Sequence, residues 1–289
     1  MPICSINPGS LPAHLETVIT LPASIIGAQE TKLTAEGQTQ CKLELKKHGW
    51  IGVFGDPIEN PRACGGVCIL SSTGQLRAYP RRAGVSEELW ASKRFCHAVM
   101  MTGHKSDVPL HVVSFYGFTN AGSDASQRES NEHLLSLLFV YLAELGDVPI
   151  IILADLNTTR AASAALGSAL ACHQWFDCAE IQSLIDGTPP GPTCHVHETS
   201  AGSRIDHILI NTVAAQHFRG YELLAEPAIP VHSPIRVLMD FNIANQMGQV
   251  IKRPRAFPLE WEKMRTRRSR AAILGPLPPN RVHRSGSVP

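Results

Sequence analysis

The chain has 289 residues, enough for one large core or two modest domains, and its 44% hydrophobic and 18% charged content is that of a globular protein, not a disordered or fibrous one. No apolar run reaches the length of a membrane span, so no spanning helix is expected. The net charge of +1 hides an asymmetry: ten Lys or Arg and two acids lie from Lys252 onward, leaving 16 basic and 23 acidic residues before it, a net −7.

The first residues lack a charged region followed by a long apolar run, and Pro2 and Pro8 interrupt them, so no secretory signal is expected. The eight cysteines form no C-x-x-C pair, and several sit in apolar runs such as Val67-Cys68-Ile69. Reduced, buried thiols in an intracellular protein are expected, with the nucleus one compartment open to it. Cys172, His173, Cys178, Cys194, His195 and His197 match no standard zinc spacing.

In chain order, Pro2 to Asn7 reads as a short strand closed by a Pro8-Gly9 turn. His14 to Ile19 is weakly helical. Ala23 to Ala28 is a strand delivering Gln29 and Glu30 at its end. Thr31 to Gly49 reads as a helix with a partial apolar face. Trp50 to Phe54 and Gly65 to Leu70 are strands separated by a Pro-containing loop. Phe95 to Met101 and His111 to Phe115 follow, joined by a polar loop, and the second ends on Tyr116. Asn131 to Leu145 carries leucines at helical spacing.

Ile150 to Leu153 are four large apolar residues without a break, the pattern of a strand buried on both faces. The run ends on Asp155 and Asn157, which at positions i and i+2 of a strand project together. Strand C-termini are where open α/β proteins place their chemistry. An Ala-rich helix is expected from Ala161 to Ala171, then strands at Arg204 to Ile210 and Ile235 to Phe241. Past Asn245 the texture becomes basic and Pro-rich. Residues 1–243 are therefore expected to form one domain and 244–289 a flexible tail, solvated or contacting nucleic acid.

Asn7, Glu30, Tyr116, Asp155 with Asn157, Asp206 and the loop residue His232 all fall at strand ends or just before a strand. Singly, each has an ordinary explanation: a turn starter, a solvated acid, a core-edge aromatic, an Asp paired with Arg204, a loop histidine. Together they are the types that phosphodiester hydrolysis requires. A hard divalent cation takes a carboxylate and an amide carbonyl, an Asp orients or deprotonates water, and a His held by a second Asp donates to phosphate oxygens.

The ordered motifs resemble those of the endonuclease/exonuclease/phosphatase superfamily, the DNase I-like group. They are Asn7, Gln29-Glu30-Thr31, Tyr116 followed by Asn120-Ala121-Gly122, Ala154-Asp155-Leu156-Asn157, Thr193, Ser203-Arg204-Ile205-Asp206, and Pro230-Val231-His232-Ser233-Pro234-Ile235. The resemblance spans about Ile3 to Asp240. It implies a four-layer α/β sandwich of two mixed sheets flanked by helices. It implies Mg²⁺, with Mn²⁺ also accepted, held by Glu30 and Asn7. Asp155, Asn157, Asp206, His232 and Tyr116 would be catalytic, and Asn120, Thr193 and Arg204 would bind substrate. The implied partner is nucleic acid, with DNA the expected form, and the implied activity that of a retrotransposon-type endonuclease. A monomer or a piece of a longer polyprotein is expected. The same-family alternative is a phosphatase or sphingomyelinase-like hydrolase. A catalytically degenerate nucleic-acid-binding relic is the other. Two positions depart from the pattern: Ala154 replaces a Gly, and Val231 replaces the acid that precedes the His.

Overall fold

The computed structural model describes residues 1–81, 84–101, 109–195, 201–226 and 228–241. The expected tail at 244–289, the polar loop at 103–107 and His197 lie outside the described residues.

The elements run β1 (Pro2–Ile6), α1 (Leu11–Thr20), β2 (Ile25–Gln29), α2 (Ala35–Lys47), β3 (Ile51–Phe54), β4 (Val67–Ser71), β5 (Leu76–Ala78) and α3 (Val85–Ala91). Then come β6 (Phe95–Met100), β7 (Leu110–Tyr116), α4 (Ala125–Ala143), β8 (Ile150–Asp155), α5 (Ala164–Ala171), β9 (Trp175–Asp177) and α6 (Cys178–Asp186). The described residues close with β10 (Asp206–Asn211), α7 (Thr212–Ala215), β11 (Phe218–Leu223) and β12 (Ile235–Met239). Among the described residues, no helix is long and apolar enough to cross a membrane.

Local chemistry sets several boundaries. Helix α2 starts four residues later than expected because the Thr34 hydroxyl caps it by accepting the Gly37 N–H. Helix α4 starts six residues earlier than its leucine periodicity suggests, because Asp124 caps it by accepting the Gln127 N–H. Ser163 caps α5 in the same way.

Among the described residues two six-stranded sheets form, in the orders β11-β12-β1-β2-β4-β3 and β5-β6-β7-β8-β10-β9. Each holds one parallel pair, β1 with β2 and β7 with β8, and the other pairings are antiparallel. The sheets face one another across a core that includes Ile3, Ile25, Ile69, Val112, Ile151, Leu153, Ile208 and Val237. A second apolar layer lies between the first sheet and α1 and α2, and a third between the second sheet and α3, α4 and α5. This is the expected four-layer α/β sandwich of two mixed sheets.

The period-2 alternation of strands explains where polar residues end up. In β8, Ile151 and Leu153 point between the sheets, and Asp155 continues that row. In β10, Ile208 and Ile210 face inward, placing Asp206 on the same face. In β1, Ile3 faces inward, and Ser5 and Asn7 follow it. The inter-sheet space is therefore apolar along its length and becomes polar at one end.

The transition is built by Gln29. Its side-chain amide donates to Ser5 Oγ at 3.2 Å in its own sheet, and to Ser114 Oγ at 3.2 Å and the Leu153 carbonyl at 3.0 Å in the facing sheet. Gly27 permits the close approach there, since a Cβ would lie 2.6 Å from Leu153 Cβ.

Candidate active site

At the polar end, Asn7 stands between two carboxylates. Its Nδ2 donates to Asp155 Oδ2 at 2.8 Å and to Glu30 Oε2 at 3.2 Å, while its Oδ1 accepts the Gly9 N–H at 2.8 Å. The amide thus joins the ends of β1, β2 and β8. Asn7 acts as a bridge between Glu30 and Asp155, and its Oδ1 keeps one lone pair beyond the Gly9 bond.

Glu30 and Lys32 both adopt left-handed backbone, with φ of 50° and 55°. Bonds from Thr31 N to Gly66 O and from Lys32 N to Gly65 O pin that turn. Non-glycine residues held in this region are uncommon, and such strain collects at functional sites. The turn brings Lys32 Nζ to 3.0 Å from Glu30 Oε1. Burial alone would raise the Glu30 pKa, but hydrogen bonds from Lys32, Asn7 and Tyr116 outweigh it and hold the carboxyl below its ordinary value. Lys32 was not among the residues the motifs singled out.

Asp155 is fully buried. Burial first, and the neighbouring Asp206 charge second, push its pKa up to about 7. Asn157 does not extend β8, which ends at Asp155. Its φ of 50° turns the chain so that its own N–H donates back to Asp155 Oδ1 at 3.0 Å. The two residues meet as expected, but through a turn and not along one strand face. The Asn157 side chain donates to the Gly117 carbonyl at 3.2 Å.

His232 Nδ1 lies 3.0 Å from Asp206 Oδ2, and its Nε2 is 4.0 Å from Asp155 Oδ2. Burial alone would lower the His232 pKa, but the Asp206 charge and hydrogen bond, with smaller help from Cys194 and Asp155, push it up to about 11. The imidazole is therefore cationic at neutral pH, with Nδ1 engaged and Nε2 turned toward Asp155. Tyr116 ends β7 buried, its hydroxyl 3.1 Å from Thr119 Oγ1. Burial, with the Glu30 and Asp155 charges, raises its pKa well above the ordinary phenol value.

The residues fit a divalent cation. Two buried carboxylates and a third, half-buried one converge at one end of the sandwich. Among the described residues, Asp155, Asp206 and His232 are the one group of three potential ligand atoms, all within 4.8 Å of one another. Glu30 reaches the same group through Asn7, which donates to both Glu30 and Asp155.

With this geometry in hand, comparison with known proteins decides the architecture. No protein-family model matches the chain, and no curated protein matches it. Solved structures do. An AP endonuclease from Archaeoglobus fulgidus superposes with a TM-score of 0.66 at 18% identity, covering 83% of this chain and 99% of that one. The 3′ phosphatase NExo from Neisseria, bound to a product DNA hairpin, gives 0.63 at 18%, covering 83% and 100%. The Xenopus laevis APE2 catalytic domain gives 0.62 at 18%, covering 83% and 91%. The fold is that of the DNase I-like endonuclease/exonuclease/phosphatase superfamily.

Within the DNase I-like sandwich, three residues expected to bind substrate have other surroundings. Thr193 is fully buried, and its hydroxyl donates to Asp206 Oδ2 at 2.7 Å while accepting the Asp206 N–H at 3.1 Å. It holds Asp206 in place from beneath. Arg204 pairs with the buried carboxylate of Asp177, which also bonds His207 Nδ1 at 2.7 Å. Arg204 therefore ties the approach to β10 to the end of β9. Asn120 has a φ of 66° in an exposed turn where its carbonyl accepts the Ser123 and Asp124 N–H groups. Asn7, Glu30, Tyr116, Asp155, Asn157, Asp206 and His232 are brought together.

Proposed function

We propose that this DNase I-like chain is a divalent-metal-dependent phosphodiesterase acting on polynucleotide, with DNA endonucleolysis of retrotransposon type as the specific activity. The observation that carries the reading is the Asn7 bridge. It places a half-buried carboxylate suited to a metal, Glu30, beside a buried carboxylate suited to water, Asp155. The His232–Asp206 pair stands on the other side of Asp155.

A cation held by Glu30 would neutralise the phosphate and stabilise the leaving oxygen. Asp155, with a pKa near neutrality, takes the proton of the attacking water. The His232 imidazolium, oriented by Asp206, donates to a phosphoryl oxygen. The Tyr116 hydroxyl stays protonated and adds a second donor. Asn157 keeps one Asp155 oxygen fixed and leaves the other facing Asn7 and His232.

DNA is favoured as substrate because one neighbour is a DNA complex and two are, by name, an AP endonuclease and an APE2 catalytic domain. The retrotransposon assignment rests on the sequence motifs and the basic segment that follows the body. The test is nicking of supercoiled plasmid with Mg²⁺ or Mn²⁺, beside Glu30→Ala and a chelator control. Metal-dependent nicking abolished by Glu30→Ala is expected. Equal nicking by both proteins would reject the assignment, and turnover of small phosphomonoesters alone would favour the phosphatase alternative.

A further inference from the structure

Arg94 immediately precedes β6 and is buried on the Tyr116 side of the site. Its guanidinium lies between two aromatic rings, 4.9 Å from the Tyr116 centroid and 4.2 Å from the Phe118 centroid. Nη1 donates to the Gly117 carbonyl at 2.7 Å, and Nη2 to the Cys64 carbonyl at 3.4 Å. The Arg94 carbonyl accepts the Tyr116 N–H at 2.9 Å. The Gly117 carbonyl is shared, since Asn157 Nδ2 also donates to it. One side chain therefore ties the catalytic Tyr to the turn that fixes Asp155.

The position is tightly constrained. A Cβ on Gly117 would lie 2.1 Å from the Leu156 carbonyl oxygen, so the segments just past β7 and β8 leave no room for a side chain here. A planar fork that stacks and donates at the same time suits this slot, and Lys offers neither property. Gly117, which accepts from Arg94, donates its own N–H to the Asp155 carbonyl at 2.7 Å, so the slot holds a permanent cation one residue from Asp155, and its charge acts on Glu30 as well as Asp155.

We propose that Arg94 is a positioning residue that sets the Tyr116–Gly117–Asn157 wall and, through its fixed charge, weakens metal binding at the adjacent carboxylates. This rests on the phosphoesterase reading above. Geometry and charge then have opposite consequences: losing the fork lowers turnover, and losing the charge tightens the metal. A residue that only stabilised the fold would weaken both.

The experiment uses the full chain and follows Mn²⁺ binding by the loss of the free-ion EPR signal, alongside plasmid nicking. In Arg94→Met, Mn²⁺ should bind about fivefold more tightly, while kcat falls by about tenfold or more. In Arg94→Lys, Mn²⁺ affinity should stay near wild type and kcat should still fall. Arg94→Gln gives the same charge test if the Met variant is insoluble. Mn²⁺ affinity unchanged or weakened on charge removal overturns the proposal, as does full kcat in Arg94→Lys. The two readings fail separately. Mn²⁺ binding that survives Glu30→Ala overturns the phosphoesterase reading. Binding lost in Glu30→Ala but unmoved by Arg94→Met overturns the role of Arg94.

Discussion

Asn7 and Asp155 are 148 positions apart and lie in different sheets, yet the Asn7 amide donates to the Asp155 carboxylate at 2.8 Å. This bond favours the charged form of a group that burial and Asp206 push toward neutrality. Asn7→Ala removes the donor, so the Asp155 pKa should rise further. If Asp155 is the base, activity at pH 7 should fall by about a hundredfold. The alkaline-going limb of the pH–rate profile should also move to higher pH, giving partial recovery near pH 9. A profile lowered uniformly, with no shift, would count against Asp155 as the base.

Much of this site was legible in the sequence because strand alternation carries polar residues to strand ends. Asn7, Tyr116, Asp155 and Asp206 each continue an inward-facing row, and apolar runs such as Ile150 to Leu153 mark those rows. Elements without such runs were not legible. Strand β11, Phe-Arg-Gly-Tyr-Glu-Leu, is a half-exposed edge strand with a register shift near Arg219, and β5 and β9 are three residues each. Helix α6 depends on Asp177 accepting the Ala179 N–H, a cap whose residue also serves a buried ion pair. Lys32 and Arg94 were missed because nothing in their spacing marks a left-handed turn or a stacking slot.

Thr193 supports Asp206 without facing the cleft. Thr193→Val keeps the volume but withdraws a donor from a buried carboxylate and an acceptor from the Asp206 N–H. A cost of about 2 kcal/mol in stability is expected, read from urea denaturation. Nicking should fall about tenfold, since Asp206 would no longer hold His232 in one orientation. Thr193→Ser retains the hydroxyl and should recover most of the activity. Failure of Ser to recover it would place the role of Thr193 in its methyl packing.

Asp177 gives the pH dependence of stability a signature remote from the proposed metal. Burial alone would raise its pKa, but the His207 hydrogen bond and the Arg204 charge outweigh that and hold it at about 2. In the unfolded chain the value returns to about 3.9. As pH falls, the unfolded state takes up the proton first. The stabilisation is therefore complete above about pH 4 and is lost as pH falls through 2. Asp177→Asn leaves the mostly covered Arg204 without its counter-charge and should cost about 3 kcal/mol at pH 7. The gap to wild type should narrow between pH 4 and 2 in urea melts. A gap constant down to pH 2 would show that the carboxylate charge contributes nothing.

Val231 is the position where sequence and backbone disagree most. Its φ is 73°, and the His232 N–H donates to the Pro230 carbonyl at 2.9 Å, a three-residue turn with a positive central φ. The Val231 carbonyl accepts the His195 N–H at 2.8 Å, so both flanks hold the turn in place. A β-branched residue is strained there by about 1–3 kcal/mol, and the residue is 44% exposed, so its packing offsets little of this. Asn tolerates the conformation, and Val231→Asn should stabilise the chain by about 1 kcal/mol. Asp relieves similar strain and adds the carboxylate that the resemblance places just before the histidine. Both variants should therefore melt higher than wild type, but only Val231→Asp should lower the Mg²⁺ concentration for half-maximal nicking, by about fivefold. Identical Mg²⁺ dependence in the Asn and Asp variants would mean that the missing acid has no part in metal binding. Val231 would then mark a strained turn retained for the direction it gives His232.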